Sequence, residues 1–121
     1  MITCYLRYVI DATKLKEFET YSRVWIGLVN RFEGIHHGYL MPSEGANNIA
    51  VAAFTFPSLA AYEIYRLESA DDPDCMAAFK YAETTQCIIS YERSFFRPVT
   101  DALPPSALDG KTSAKTAKSR Q

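Results

Sequence analysis

Histidine and tryptophan are scarce in this chain. There are two histidines, adjacent as His36 and His37, and one tryptophan, Trp25, in 121 residues. The three cysteines, Cys4, Cys75 and Cys87, lie far apart and form no CxxC pair. An odd count without metal spacing fits free thiols in a reducing compartment. No excess of one charge exists either: 13 Lys and Arg face 14 Asp and Glu, for a net charge of −1. A phosphate-tracking basic face is therefore not expected, and neither nucleic acid nor a membrane is an expected partner. No apolar run approaches membrane-spanning length, and Arg7 stands where the apolar centre of a leader would run. The expectation is a cytoplasmic protein. Gly-rich phosphate loops and nucleophile elbows are missing, and no cofactor is expected.

What is present is a pattern of elements. Hydrophobic content of 48% and charged content of 22% are those of one globular domain. From Ile2 to Ile10 the chain alternates, with Ile2, Cys4, Leu6, Tyr8 and Ile10 on one face and Thr3, Tyr5, Arg7 and Val9 on the other. Period two with aromatic and β-branched residues predicts a strand. Caps at Asp11-Ala-Thr then lead into Leu15, Phe18, Ser22, Trp25, Val29 and Phe32 at spacings of three and four, an amphipathic helix expected to end at Gly34. Core packing is the ordinary role for Trp25 on such a stripe.

Gly34 to Pro57 reads as a β-hairpin with a turn-rich link from Pro42 to Asn48. Strict alternation would put Ile35, His37, Tyr39 and Met41 on one face of its first strand, and His36, Gly38 and Leu40 on the other. Both faces of the second strand are apolar, which predicts a central strand covered on both sides. Its run Ala50-Val51-Ala52-Ala53 allows either close packing or an internal cavity. Ser58 is an N-cap for a following helix, and Asp72-Pro73 opens another, expected to turn Met76, Phe79, Ala82 and Gln86 inward. A last strand runs from Ile89, with Tyr91, Arg93, Phe95 and Arg97 opposite Glu92, Ser94 and Phe96. From Asp101 the composition turns to Ala, Ser, Thr, Lys and Pro without periodicity, so residues 101–121 are expected to be a disordered polar and basic tail.

The order strand, helix, strand, strand, split helix, strand is a ferredoxin-like βαββαβ pattern. It predicts an α+β fold, a four-stranded antiparallel sheet with helices on one face. Helices cover one face only, yet two strands are apolar on both. A second copy packed sheet to sheet would cover the other, giving a homodimer and a dimeric α/β barrel with roughly 800 Å² buried per subunit.

Tyr5-Leu6-Arg7-Tyr8, Gly34 with Gly38, Glu44-Gly45 with Asn48, Phe54-x-Phe56-Pro57-Ser58-Leu59 and Asp72-Pro73 together resemble the NIPSNAP family over residues 1–100. Two positions depart from its pattern: Cys75 where an aromatic is usual and Phe54 where tryptophan is. The resemblance implies a dimeric α/β-barrel domain. It places the chain beside cofactor-independent monooxygenases, isomerases, haem enzymes and plain binding proteins, with no settled activity of its own.

The chemistry expected from the residues follows from strand geometry. Adjacent His36 and His37 point to opposite faces and cannot share one ion without a bulge, so no metal site is expected. Whichever faces the barrel is the acid–base candidate, with a hydrogen-bonded structural role as the alternative. Arg7 is placed with them as a group that would hold a carboxylate or enolate, its alternative an ion pair. Tyr5, Arg7, Asn48, Phe54 and Arg93 are the candidate ligand contacts. Cys75, beside a helix N-terminus, is a candidate for a lowered pKa. Two functions remain open: a binder or enzyme for a small organic molecule, and a structural or interaction module whose barrel is filled.

Overall fold

In a computed structural model, which describes residues 1–110, the first strand β1 (Ile2–Ile10) lies in the middle of the sheet. Its alternation is realised: Cys4, Leu6, Tyr8 and Ile10 are buried beneath the helices, while Tyr5 and Arg7 lie on the opposite face. The remaining elements are α1 (Leu15–Arg31), β2 (Ile35–Leu40), β3 (Ile49–Phe56), α2 (Leu59–Asp71), α3 (Pro73–Thr85) and β4 (Ile88–Phe96). Strand order is β2-β3-β1-β4 and every neighbouring pair is antiparallel. The architecture is the expected ferredoxin-like one.

Local chemistry explains the boundaries. Asp11 accepts from the Thr13 N–H and starts a short 3-10 turn, Ala12–Lys14, ahead of α1. Ser58 accepts from Ala61 N–H at the start of α2, and Asp72 from Cys75 N–H at the start of α3, whose first residue is Pro73. The end of α1 differs from the expectation. Glu33, not Gly34, takes the left-handed conformation (φ 71°), and the Gly34 N–H closes the helix onto the Val29 carbonyl at 3.2 Å. Gly34 is needed for proximity instead: a Cβ there would lie 2.7 Å from both Phe56 Cζ and Val29 Cγ1.

Two other expectations shift. The inner face of α3 is formed by buried Cys75 and Ala78, while Met76 and Phe79 are half-exposed and Gln86 is a left-handed cap. Small side chains occupy that inner face, Ala82 packs against the core as expected, and the half-exposed Phe79 sets its ring 5.0 Å from that of Trp25.

In β2, His36 is opposite Phe54 but Tyr39 is opposite Ala52, so three residues of β2 span two of β3. This is a β-bulge around Gly38, whose φ of +100° suits glycine. It moves Tyr39 from the face of His37 to the face of His36, correcting strict alternation. Beyond β4, residues 101–110 hold one 3-10 turn, Pro105–Asp109. The rest of the expected tail lies outside the described residues.

Candidate functional site

The helix-facing side of the sheet and the three helices enclose a cavity of about 380 Å³, at the small end of ligand-binding pockets. Its sheet wall is made by Leu6 and Tyr8 of β1, His36 and Tyr39 of β2, and Phe54 of β3. From α1 come Tyr21, Trp25 and Val29; from α2, Tyr62, Tyr65, Arg66 and Ser69. Phe79, Ala82 and Glu83 of α3 and Tyr91 and Arg93 of β4 complete it. Six of the chain's eight tyrosines line this one space. The aromatic stripe of α1 and the Tyr-x-x-Tyr of α2 are therefore partly core and partly cavity wall.

His36 is held in place by its own strand and by α1. Its backbone N–H donates to the Asn30 carboxamide at 3.0 Å, and its Nδ1 accepts from Gly38 N–H at 2.9 Å. Its ring stacks on that of Tyr39, with centroids 5.0 Å apart. Burial, with a smaller contribution from the His37 charge, pushes the imidazole down to about 4, so it is neutral near pH 7. With Nδ1 occupied as an acceptor, the remaining proton sits on Nε2. That Nε2 is buried and has no hydrogen-bond partner.

Trp25 Nε1 is in the same condition, on a residue only 6% exposed. It lies beside Tyr21, whose pKa it pulls down against the larger effect of burial. A buried donor left unmade costs about 1–3 kcal/mol, so these two weaken the packed wall beside the cavity. Four of the phenols around the cavity are held protonated by burial. Burial pushes Tyr21 up to about 12 and raises Tyr8, Tyr39 and Tyr65 as well.

Arg66 and Arg93 stand at the exposed rim. Arg66 Nη1 donates to the Tyr62 hydroxyl at 3.1 Å, and the Arg93 guanidinium lies 5.5 Å from the centre of the Tyr91 ring. Among the described residues neither guanidinium is ion-paired with a carboxylate.

The residues expected to act together are divided by the sheet. His36, Phe54 and Arg93 line the cavity. His37, Arg7 and Tyr5 lie on the helix-free face. There His37 Nε2 and Thr55 Oγ1 are 2.7 Å apart, Thr55 bonds Thr3 at 2.7 Å, and Arg7 approaches Glu92 at 3.8 Å. Arg93 cannot join Arg7, because the register places Arg93 beside Leu6 and Glu92 beside Arg7. Asn48 precedes β3, its carbonyl accepting from Ile10 N–H at 2.8 Å, and does not line the cavity.

Cys75 is corrected outright. Burial, then its bond to Asp72, pushes its thiol up to about 11 rather than down. Cys4 is likewise raised to about 11 by burial, against the opposing pull of Arg93 and Arg66. Among the described residues no group of three or more His, Cys, Asp or Glu side chains could hold a metal.

The model of the NIPSNAP family matches residues 5–103. The chain belongs to the NIPSNAP family. Among solved structures, a NIPSNAP domain protein from Burkholderia xenovorans is 20% identical, with 82% of this chain and 95% of that one covered at a TM-score of 0.68. A NIPSNAP family protein from Agrobacterium tumefaciens is 21% identical, covering 81% and 92% at a TM-score of 0.69. A proposed antibiotic biosynthesis monooxygenase from Nitrosomonas europaea shares the fold at 9% identity, covering 83% and 100% at a TM-score of 0.63. No match is found among curated proteins.

Proposed function

We propose that this NIPSNAP protein binds, and in a cofactor-independent reaction transforms, a small organic molecule held between its sheet and its helices. The observation that carries this reading is the cavity itself: about 380 Å³, walled by six tyrosines, with Arg66 and Arg93 at its rim and, among the described residues, neither of them paired with a carboxylate. The likeness to a proposed antibiotic biosynthesis monooxygenase fits chemistry on a small organic molecule.

The active unit in this proposal is a cytoplasmic homodimer. The helix-free face supports it: Val9, Ile49, Val51 and Ala53 are only half-covered there, and Leu40, Ile35 and Phe96 are largely exposed. Such a face is suited to a second sheet. Among the described residues no helix is long and apolar enough to cross a membrane.

The test is a metabolite library screened by thermal unfolding of the wild type alongside Ala82→Leu, which fills the cavity. A true ligand at 100 times its Kd stabilises by about 2.7 kcal/mol and raises the wild-type Tm. The same compound should leave Ala82→Leu unmoved. If no compound shifts the wild type, or if Ala82→Leu responds equally, the cavity reading fails.

A further inference from the structure

Arginines on the helices and strands of this protein ordinarily have a carboxylate. Arg23 meets Glu19 at 2.6 Å, Arg31 meets Asp72 and Asp74 at 3.0 and 2.8 Å, and Arg7 approaches Glu92 at 3.8 Å. Among the described residues of these elements, the exceptions are the two at the cavity mouth, Arg66 and Arg93. Acids are at hand for both. Glu63 stands three residues before Arg66 on α2, a spacing that suits an ion pair, yet Arg66 turns to the neutral Tyr62 hydroxyl. Glu92 adjoins Arg93 but projects to the other face of β4, toward Arg7. Glu83 shares the rim without coming within pairing distance of either guanidinium.

The two cations are also neighbours. Phe95, two residues beyond Arg93 on the same face of β4, sets its ring 4.9 Å from Tyr62, the residue Arg66 bonds. The buried Cys4 thiol, opposite Phe95 in the register, is pulled by both guanidiniums, Arg93 more than Arg66. Like charges gathered without a counter-charge repel, modestly where solvent screens them, and an anion between them removes that cost.

Charge balance and the wall set the kind of anion. Two guanidiniums against the Glu83 carboxylate leave one positive charge at the rim, which matches a monoanion. Behind the rim nothing could neutralise a second charge: Tyr8, Tyr21, Tyr39 and Tyr65 stay protonated and His36 is neutral near pH 7. We propose that the ligand is a small organic monocarboxylic acid, its carboxylate seated between Arg66 and Arg93 and its uncharged, largely apolar body in the aromatic space behind them. Guanidinium forks match a carboxylate, and Arg66 spends only Nη1 on Tyr62, so donors remain. This rests on the cavity reading above and adds the ligand's charge and its orientation, body first and acid last.

Isothermal titration calorimetry tests it with two acids, 3-phenylpropionate and 2-naphthoate, the primary amide of each, and 2-naphthylmethylammonium. At least one acid is expected to bind about tenfold or more above its amide, as charge-assisted contacts imply, and the ammonium not to bind. Arg66→Gln and Arg93→Gln should each reduce the ratio of acid to amide affinity, and the double variant should bring it near one. Arg23→Gln, the same loss of charge at an exposed position on α1, should leave the ratio unchanged. Circular dichroism shows whether each variant folds, and either single variant suffices. Acid binding should disappear in Ala82→Leu; its persistence there would place the anion on the surface and overturn the proposal. Equal binding of an acid and its amide, or an equal effect of Arg23→Gln, would overturn the acid assignment while leaving the cavity reading intact. Binding of neither acid would also overturn it, and the cavity reading would then stand if the metabolite screen finds an uncharged ligand and fall if that screen is silent.

Discussion

The rings of Tyr8 and Tyr39 stack with centroids 6.1 Å apart and planes 27° from parallel, although their strands are separated by β3. They meet because β3 is low between them: Tyr8 is paired with Ala50 and Tyr39 with Ala52. The alanine run is thus the floor over which two aromatic side chains reach each other. Close packing, not empty volume, is its role at these two positions, and the cavity opens beside the tyrosines. Ala52→Val inserts two methyl groups into a residue only 2% exposed. It should destabilise by about 1–3 kcal/mol in urea titration and disturb the near-ultraviolet circular dichroism of the tyrosines.

Gly34→Ala should also cost about 1–3 kcal/mol, through contact with Phe56 and Val29 rather than through backbone strain. A second change, Val29→Ala, removes one of the two obstructing side chains. The double variant should lose less than the sum of the single losses, a coupling read by a double-mutant cycle.

His36 predicts an acid limb of stability. Its folded pKa of about 4 lies below the ordinary value of 6.5. Between those values the unfolded chain binds the proton more readily, so stability is full above about pH 6.5 and is lost as pH falls toward 4. Allowing for partial exposure, the loss should be on the order of 2 kcal/mol. Denaturation at pH 7 and pH 4.5 should show a smaller difference in His36→Phe than in the wild type. An NMR titration should find the His36 ring still neutral at pH 5.5.

The helix-free face makes its own prediction. Val51→Glu places a charge at its centre and should convert a dimeric mass by light scattering into a monomeric one at micromolar concentration. Its far-ultraviolet circular dichroism should stay unchanged. A wild type that is already monomeric would remove the barrel from the proposal.

How much could be read beforehand depended on how far apart the deciding residues lie. The alternation of β1 and the two-faced apolarity of β3 follow from side-chain parity along one strand, and both were legible. The opposition of Arg93 and Glu92 within β4 was legible as well. Which of them accompanies Arg7 depends on register between strands, which no single strand records. The faces of β2 were misassigned beyond Gly38 because one glycine is a weak signal for a bulge. Core packing is the ordinary expectation for Trp25, and a stripe at helical spacing looks the same beside a packed core and beside a cavity. Only the assembled fold shows that two of the buried nitrogens lack partners.

The bulge at Gly38 has a consequence for how this protein can vary. A strand counts its faces by twos, and between His36 and Tyr39 this one counts by three. Deleting Gly38 would leave Tyr39 opposite Ala52, but flattening the bulge with Gly38 retained would restore strict alternation and transfer Tyr39 from the cavity to the opposite side of the sheet. The Tyr8 ring would lose its stacking partner, and the His36 imidazole would lose both the ring beneath it and the N–H that sets its tautomer. A residue with no side chain thus governs the polarity of a wall it does not touch. In this hairpin, one backbone conformation decides which face a side chain reaches.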